Sequence, residues 1–174
     1  MSDHNDSLLV EKSLKSIEKK EVPKKLILNT NDAIAELFST IASTFTSDFT
    51  NNFSIIYSHF SLYLKKDFEV AQLYLAELLE ENNQYVEANN LYEKIKPSSN
   101  FYWHAELRKA RNLELLGDNK KSILILEEMS NEKKDRYDSL KLLGDIYRNY
   151  DKYGKAIKFY NEAILRIKKP ILQF

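Results

Sequence analysis

The chain has 174 residues, and its 26 basic and 26 acidic side chains cancel. The neutral balance argues against a general nucleic-acid binder, and the absence of cysteine excludes disulfides and thiolate metal sites. Three glycines and three prolines are too few for a turn-rich all-β protein, so the composition favours long helices joined by short turns.

Residues 1–30 form the first predicted segment, which is rich in charged side chains. Val10, Leu14 and Ile17 lie on one face if this segment is helical. Because so few apolar residues offset little of the ordering entropy, we expect a flexible, solvated segment. The segment lacks the pattern of a secretory signal, and the chain has no run of 18 apolar residues. We therefore expect a soluble cytoplasmic protein without membrane insertion.

Residues 31–170 repeat with a period of 34 residues. If the first position of the repeat is placed at Glu69, Trp103 and Tyr137, the eighth and twentieth positions are always small. Small side chains there allow two helix backbones to approach closely. These small residues are Ala76, Ala110 and Gly144 at the eighth position, and Ala88, Ser122 and Ala156 at the twentieth.

Positions 7, 11 and 24 of the repeat carry large residues, which are predicted to fill the space between neighbouring helix pairs. They are Leu75, Leu79 and Tyr92, then Leu113 and Leu126, then Leu143, Tyr147 and Tyr160. Lys109 is the exception at position 7. We expect its aliphatic stem to pack in the interior while its ammonium group reaches water.

Short turns are predicted at residues 82–83, 117–118 and 150–151, where each first helix should end. Gly117 suits the left-handed conformation that often follows a helix, and Pro170 is expected to stop the last helix. The predicted full repeats are therefore 69–102, 103–136 and 137–170.

Residues 35–68 are predicted to form a degenerate first repeat. Ala42 then occupies the eighth position, and Ser54 and Ser61 supply small residues at positions 20 and 27. Residues 171–174 would begin a fifth repeat. Since arrays of this kind normally close with a polar capping helix, two interpretations remain: a truncated array, or one that covers its end by self-association.

The chain resembles the tetratricopeptide repeat (TPR) family over about residues 35–170. The clearest matches are residues 143–147 (LGDIY) and 153–164 (YGKAIKFYNEAI). The chain also looks like part of a longer bacterial TPR protein. The resemblance implies an all-α, right-handed superhelical α-solenoid of antiparallel helix pairs, with a concave groove lined by the first helices. It does not extend to the family's carboxylate-binding subclass, because only Arg108 matches a residue of that clamp.

The outward positions of the first helices predict a partner-binding surface with an apolar centre beside a basic strip. Such a surface would suit a peptide or helix with apolar anchors and a few acidic residues. Its predicted residues are Val70, Leu73, Tyr74, Glu77, Leu107, Arg108, Arg111, Lys141 and Arg148. A structural interpretation stays open: Glu77, Arg111 and Asp145 would form a ladder of ion pairs, and Leu73 and Leu107 would pack on adjacent repeats.

The sequence contains no group of residues with the spacing of a catalytic or metal-binding site. His4, His59 and His104 lack the spacing of a metal-binding helix face, and no glycine-rich phosphate loop is present. We therefore predict no enzyme activity, no cofactor and no metal. The expected function is a TPR adaptor or scaffold for another protein, without a nucleic-acid partner. The alternatives are a structural subunit that self-associates through an uncapped C-terminal face, or a fragment of a longer TPR-containing envelope protein or enzyme.

Overall fold

A computed structural model describes residues 14, 17–18, 27–45 and 51–168. Within these residues the chain forms eight α-helices and no β-strand, so the prediction of an all-α protein is confirmed. The helices are α1 Thr30–Thr44, α2 Asn51–Leu64, α3 Glu69–Glu81, α4 Tyr85–Tyr92, α5 Tyr102–Leu115, α6 Asn119–Glu132, α7 Asp138–Asn149 and α8 Tyr153–Lys168. Most of the predicted segment 1–30, together with Pro170 and residues 171–174, lies outside the described residues.

Neighbouring helices pack against each other, as an α-solenoid of helix pairs requires: α1 with α2, α2 with α3, α3 with α4, α6 with α7, and α7 with α8. The chain divides into two compact units, residues 1–105 and 106–174, and α5 contributes residues to both. Helices α1 to α4 build unit 1, and α6 to α8 belong to unit 2. None of the helices in the described ranges has the length and apolar character that crossing a bilayer requires.

The core of unit 1 is filled around the small residues that the repeat predicts. Ala76 on α3 and Ala88 on α4 are completely buried, and Leu75, Tyr92 and Ile95 pack around them. Because the two alanines have no side chain beyond Cβ, α3 and α4 can approach closely while the larger residues fill the space beside them.

Buried serines join the helices of a pair at two of the small positions. Ser54 Oγ on α2 donates to the carbonyl oxygen of Ala42 at 3.0 Å, and Ser122 Oγ on α6 donates to that of Ala110 at 2.6 Å. Each serine follows its acceptor by 12 residues. Serine is therefore small enough for the two helices to approach closely, and its buried hydroxyl group has a hydrogen-bond acceptor.

The closest approach in unit 2 is at Gly144 on α7. A Cβ atom at this position would lie 2.5 Å from Cε1 of the Tyr160 ring on α8. Leu140, Leu143 and Ile146 are buried on the same helix. The predicted small eighth position is therefore occupied by glycine here because a tyrosine ring lies against the backbone.

The three predicted turns are confirmed by their backbone conformation. Asn83, Gly117 and Asp151, spaced 34 residues apart, adopt positive φ angles of 59°, 84° and 55°. Each follows the end of a first helix and reverses the chain toward the second. The left-handed conformation is readily available to glycine and is tolerated by asparagine and aspartate.

Lys109 is half-buried on α5, and the sequence analysis did not name its partner. Its Nζ atom lies 2.8 Å from Oε1 of Glu106, and its side chain is only 15% exposed. The ammonium group is therefore neutralised by a carboxylate three residues earlier on the same helix. A partner on the same helix face makes this arrangement favourable, since a buried charge needs an ion pair.

Arg166 on α8 connects three parts of unit 2, and the sequence analysis did not single it out. Its Nη1 atom donates to the carbonyl oxygens of Ser130 at 2.9 Å, Lys133 at 3.2 Å and Arg136 at 3.0 Å. Its Nη2 atom lies 2.9 Å from Oε1 of Glu162. The guanidinium group thereby satisfies carbonyl groups at the end of α6 and in the connection to α7.

Candidate functional site

Four of the predicted binding residues lie on α3 in unit 1. Val70 is 47% exposed, whereas Leu73 is half-buried and packs against the unit 1 core. The Tyr74 hydroxyl group donates to the Ala42 carbonyl oxygen at 3.3 Å. Leu73 and Tyr74 thus take part in packing, and Val70 is the apolar residue of the four that presents a large free surface.

Glu77, the fourth of these residues, contacts a histidine. Its Oε1 atom lies 3.0 Å from Nε2 of His104, and about a third of each side chain is exposed. The pair links α3 to the beginning of α5 within unit 1. The predicted ion-pair ladder named Glu77 but not His104.

The other five predicted residues lie in unit 2. Leu107 and Arg108 are half-buried on α5, and Arg111 is exposed on the same helix. Lys141 and Arg148 are exposed on α7. The predicted basic residues therefore have different settings: Arg111, Lys141 and Arg148 reach solvent, and Arg108 is partly enclosed.

Asp145 on α7 forms ion pairs with two of these basic residues and a hydrogen bond with a residue of α8. Its carboxylate lies 3.1 Å from Lys141 Nζ and 3.7 Å from Arg148 Nη2, and it accepts a hydrogen bond from the Tyr160 hydroxyl at 2.7 Å. Burial raises the pKa of Tyr160, and this hydrogen bond raises it further. Much of the positive charge on α7 is thus balanced within its own helix.

Unit 1 also contains an apolar groove that the sequence analysis missed. The groove has a volume of about 770 Å³ and lies between α2 and α4. Its apolar lining comes from three helices, namely Leu62 on α2, Leu75 and Leu79 on α3, and Leu91 on α4. A volume of this size is in the range of protein sites that hold small molecules or several side chains.

The two walls of the groove differ in chemistry. On the α2 side the wall is formed by His59, Phe60 and Tyr63. On the α4 side it is formed by Glu87, Asn90 and Lys94, all of which are exposed. An apolar floor thus lies between an aromatic wall and a polar wall that carries one negative and one positive side chain.

The aromatic wall continues along α2 as an exposed stripe, which we call the α2 stripe: Phe53, Ile56, Phe60 and Tyr63. The first three are about half exposed, and Tyr63 is 81% exposed. The spacing of three, four and three residues places them on one helix face. Phe60 also packs against Phe38 of α1, with ring centroids 5.6 Å apart.

A sequence signal for this surface existed. The i, i+3, i+7, i+10 spacing of the α2 stripe is visible in the sequence, but a buried face gives the same pattern. Among the described residues, no group of three or more histidine, aspartate or glutamate side chains is arranged to hold a metal ion.

No protein-family model matches the chain, and no curated protein sequence matches it. Its fold does match solved structures of MamA, a TPR-containing protein. A crystal structure of MamA covers 97% of this chain and 97% of its own, with a TM-score of 0.67 and 15% identity. The structure of MamA residues 41 to the end from Desulfovibrio magneticus RS-1 covers 80% of this chain and 77% of its own, with a TM-score of 0.65 and 17% identity.

At this level of identity the likeness concerns the fold. The chain has the TPR-type α-solenoid fold of paired helices, as its sequence resemblance implies. The match to MamA spans nearly the whole chain, including the region predicted as a degenerate repeat.

Proposed function

Since its helices have the arrangement of a TPR array, we propose that this chain is a non-enzymatic scaffold that binds a peptide or helix of a partner protein in the concave groove lined by its first helices. The observation that carries the proposal is the exposure of Val70 on α3, about two helical turns from the Glu77–His104 pair. An apolar side chain beside a charged pair, both held on a rigid helix, supplies an anchor and a polar contact for a peptide.

In unit 2 we propose Arg111, Lys141 and Arg148 as partner-binding residues. Their side chains are exposed, so a partner with acidic residues can reach them without unfolding the helices. Because Lys141 and Arg148 already contact Asp145, we expect them to contribute mainly to the rate of association and to specificity. We propose the repeats 35–68, 69–102, 103–136 and 137–170 as the units that present this surface.

The experiment begins with capture of partners from a cell lysate on the natural chain, followed by titration calorimetry with the purified partner. The test variant is Val70→Asp, Arg111→Glu, Arg148→Glu, in which all three original side chains are exposed. We expect its dissociation constant to rise at least about tenfold, as loss of an anchor and of two complementary charges implies.

A matched control keeps the number of charge reversals similar but places them elsewhere: Lys120→Glu, Lys134→Glu, Lys152→Glu. These lysines are also exposed, and none belongs to the proposed surface. The control should bind like the natural chain. Equal affinity of the test variant, with an unchanged circular dichroism spectrum, would show that the partner binds another surface.

A second candidate function, a self-associating structural subunit, is favoured by one observation on α8. Ile157, Ile164 and Ile167 are each about half exposed on this helix. Apolar residues left open on the last helix of an array are consistent with association through that end. Substitution of Ile164 by Asp would prevent such association while leaving peptide binding on the first helices unchanged.

A further inference from the structure

The α2 stripe and the α2–α4 groove form one continuous apolar surface on unit 1, because Phe60 and Tyr63 belong to both. Beneath it, Phe38 and Tyr57 pack on Phe60 with ring centroids 5.6 and 6.2 Å away. The exposed rings are therefore supported by neighbouring aromatic side chains on α1 and α2. A fixed, exposed aromatic surface of this kind is typical of a protein contact site.

The charge of α2 distinguishes it from the other helices in the described part of the chain. Its 14 residues include no aspartate, glutamate, lysine or arginine, whereas each of the other seven helices has at least one. A helix whose outer face meets only water usually carries charged residues there. The α2 stripe instead has the i, i+3, i+7, i+10 spacing of residues that pack against another helix.

We propose that this surface binds a second copy of the same chain, with the two α2 helices packed antiparallel about a two-fold axis. In such a dimer the same patch is used on both copies, so its charges must complement themselves. A helix without aspartate, glutamate, lysine or arginine meets this condition, because it places none of these charged side chains opposite their copies. This inference is independent of the proposed function, which concerns the first helices.

The polar wall of the groove also complements itself. Glu87 on α4 and Lys94, two residues beyond the end of this helix, lie seven residues apart, on either side of Asn90. A two-fold axis that crosses the groove near Phe60 and Asn90 brings Glu87 of one copy opposite Lys94 of the other, and the reverse contact follows by symmetry. Both side chains are exposed, and neither forms an ion pair among the described residues.

The exposed isoleucines of α8 are a weaker candidate for the dimer contact. This helix carries Lys155, Lys158, Glu162 and Arg166, so two α8 helices would bring several charges together. The α2 surface also has room for the partner, because the groove of about 770 Å³ can receive the aromatic side chains of the second copy.

Sedimentation velocity of the full chain, over a range of protein concentrations, provides the first test. We expect a dimer of the natural chain that dissociates on dilution. Tyr63→Asp should make the chain monomeric, and because Tyr63 is 81% exposed this change should leave the fold intact. Leu124→Asp on α6 is the matched control, since Leu124 is an exposed apolar residue of unit 2, and it should remain dimeric.

Charge reversal at the polar wall gives a second test that does not disturb any apolar side chain. Glu87→Lys and Lys94→Glu should each weaken dimerisation about tenfold, because each places like charges opposite each other twice in the dimer. The double variant Glu87→Lys, Lys94→Glu restores opposite charges across the axis. We expect it to dimerise like the natural chain.

Three outcomes would overturn the proposal. The first is a natural chain that stays monomeric at all concentrations. The second is a dimer that Ile164→Asp dissociates and Tyr63→Asp does not, which would assign the contact to α8. The third is a monomeric full chain that becomes dimeric when residues 1–26 are removed, which would mean that this segment covers the groove.

Discussion

Asn83, Gly117 and Asp151 hold equivalent positions after three first helices, and each has a positive φ angle. The two residues with a Cβ atom have a compensating contact. Asn83 Oδ1 accepts a hydrogen bond from the Tyr85 hydroxyl at 2.8 Å, and Asp151 Oδ1 accepts one from the Tyr153 hydroxyl at 2.6 Å. Gly117 reaches the same conformation without steric cost. The positive φ angle at this position is therefore achieved in two ways: by glycine, or by an asparagine or aspartate that accepts a hydrogen bond from a nearby tyrosine.

Gly117→Ala should lower the free energy of unfolding by about 1 kcal/mol, because alanine is strained in the left-handed conformation. Contacts with residues beyond the two chain neighbours play no part, since a Cβ at this position meets none of their atoms within 4 Å. Urea unfolding monitored by circular dichroism would measure the effect. Gly154→Ala is the control: it also meets open space but lies within α8, so it should be neutral or stabilising. Equal stability of the two variants would contradict this account.

Among the elements, α8 stabilises its neighbours chiefly through Arg166, whose side chain is 12% exposed. The last carbonyl groups of a helix have no partner within that helix, and those at the end of α6 are satisfied by this guanidinium group instead. The bond to the Arg136 carbonyl extends the same contact to the loop before α7. One side chain of α8 thus contacts carbonyl groups that lie 30 to 36 residues earlier in the chain.

Arg166→Ala should lower the free energy of unfolding by about 2 kcal/mol, since partly buried carbonyl groups would lose a charged donor. Arg166→Lys should recover part of this loss, because an ammonium group cannot reproduce the planar geometry of the guanidinium. Lys158→Ala, an exposed change on the same helix, should have little effect. Chemical unfolding would rank the three variants. A similar stability of Arg166→Ala and Lys158→Ala would exclude this role for Arg166.

For the whole molecule, the distribution of exposed apolar residues decides which contacts with other chains are available. Unit 1 presents the α2 stripe beside the groove, and unit 2 presents the isoleucines of α8. The proposed peptide surface on the first helices involves other residues. Because the two proposals concern different residues, they can be tested with separate variants.

If the chain dimerises through α2, its melting temperature should rise with protein concentration, because dimerisation stabilises the folded state by mass action. We expect this dependence for the natural chain and for Leu124→Asp, but not for Tyr63→Asp. Differential scanning calorimetry across a hundredfold concentration range would measure it. A melting temperature of the natural chain that does not change with concentration would contradict the proposed dimer.

The binding residues predicted from the sequence remain a proposal, because their positions on the first helices follow from the repeat but their free surface does not. Leu73 and Tyr74 illustrate the difference: both were predicted to face outward, and both contact other parts of unit 1. Whether a side chain at an outward position is exposed depends on the packing of the long side chains around it. A single sequence does not contain that information.

The sequence alone determined the helical class, the period, the small residues where helices meet and the turns at Asn83, Gly117 and Asp151. These features are local or periodic, and a pattern along the chain is sufficient to express them. Only the tertiary structure decided the partners of Lys109 and Arg166, the contacts of Glu77 and Asp145, and the groove between α2 and α4. These contacts join residues on different helices or depend on which of several neighbours a long side chain reaches, so they follow from packing in three dimensions.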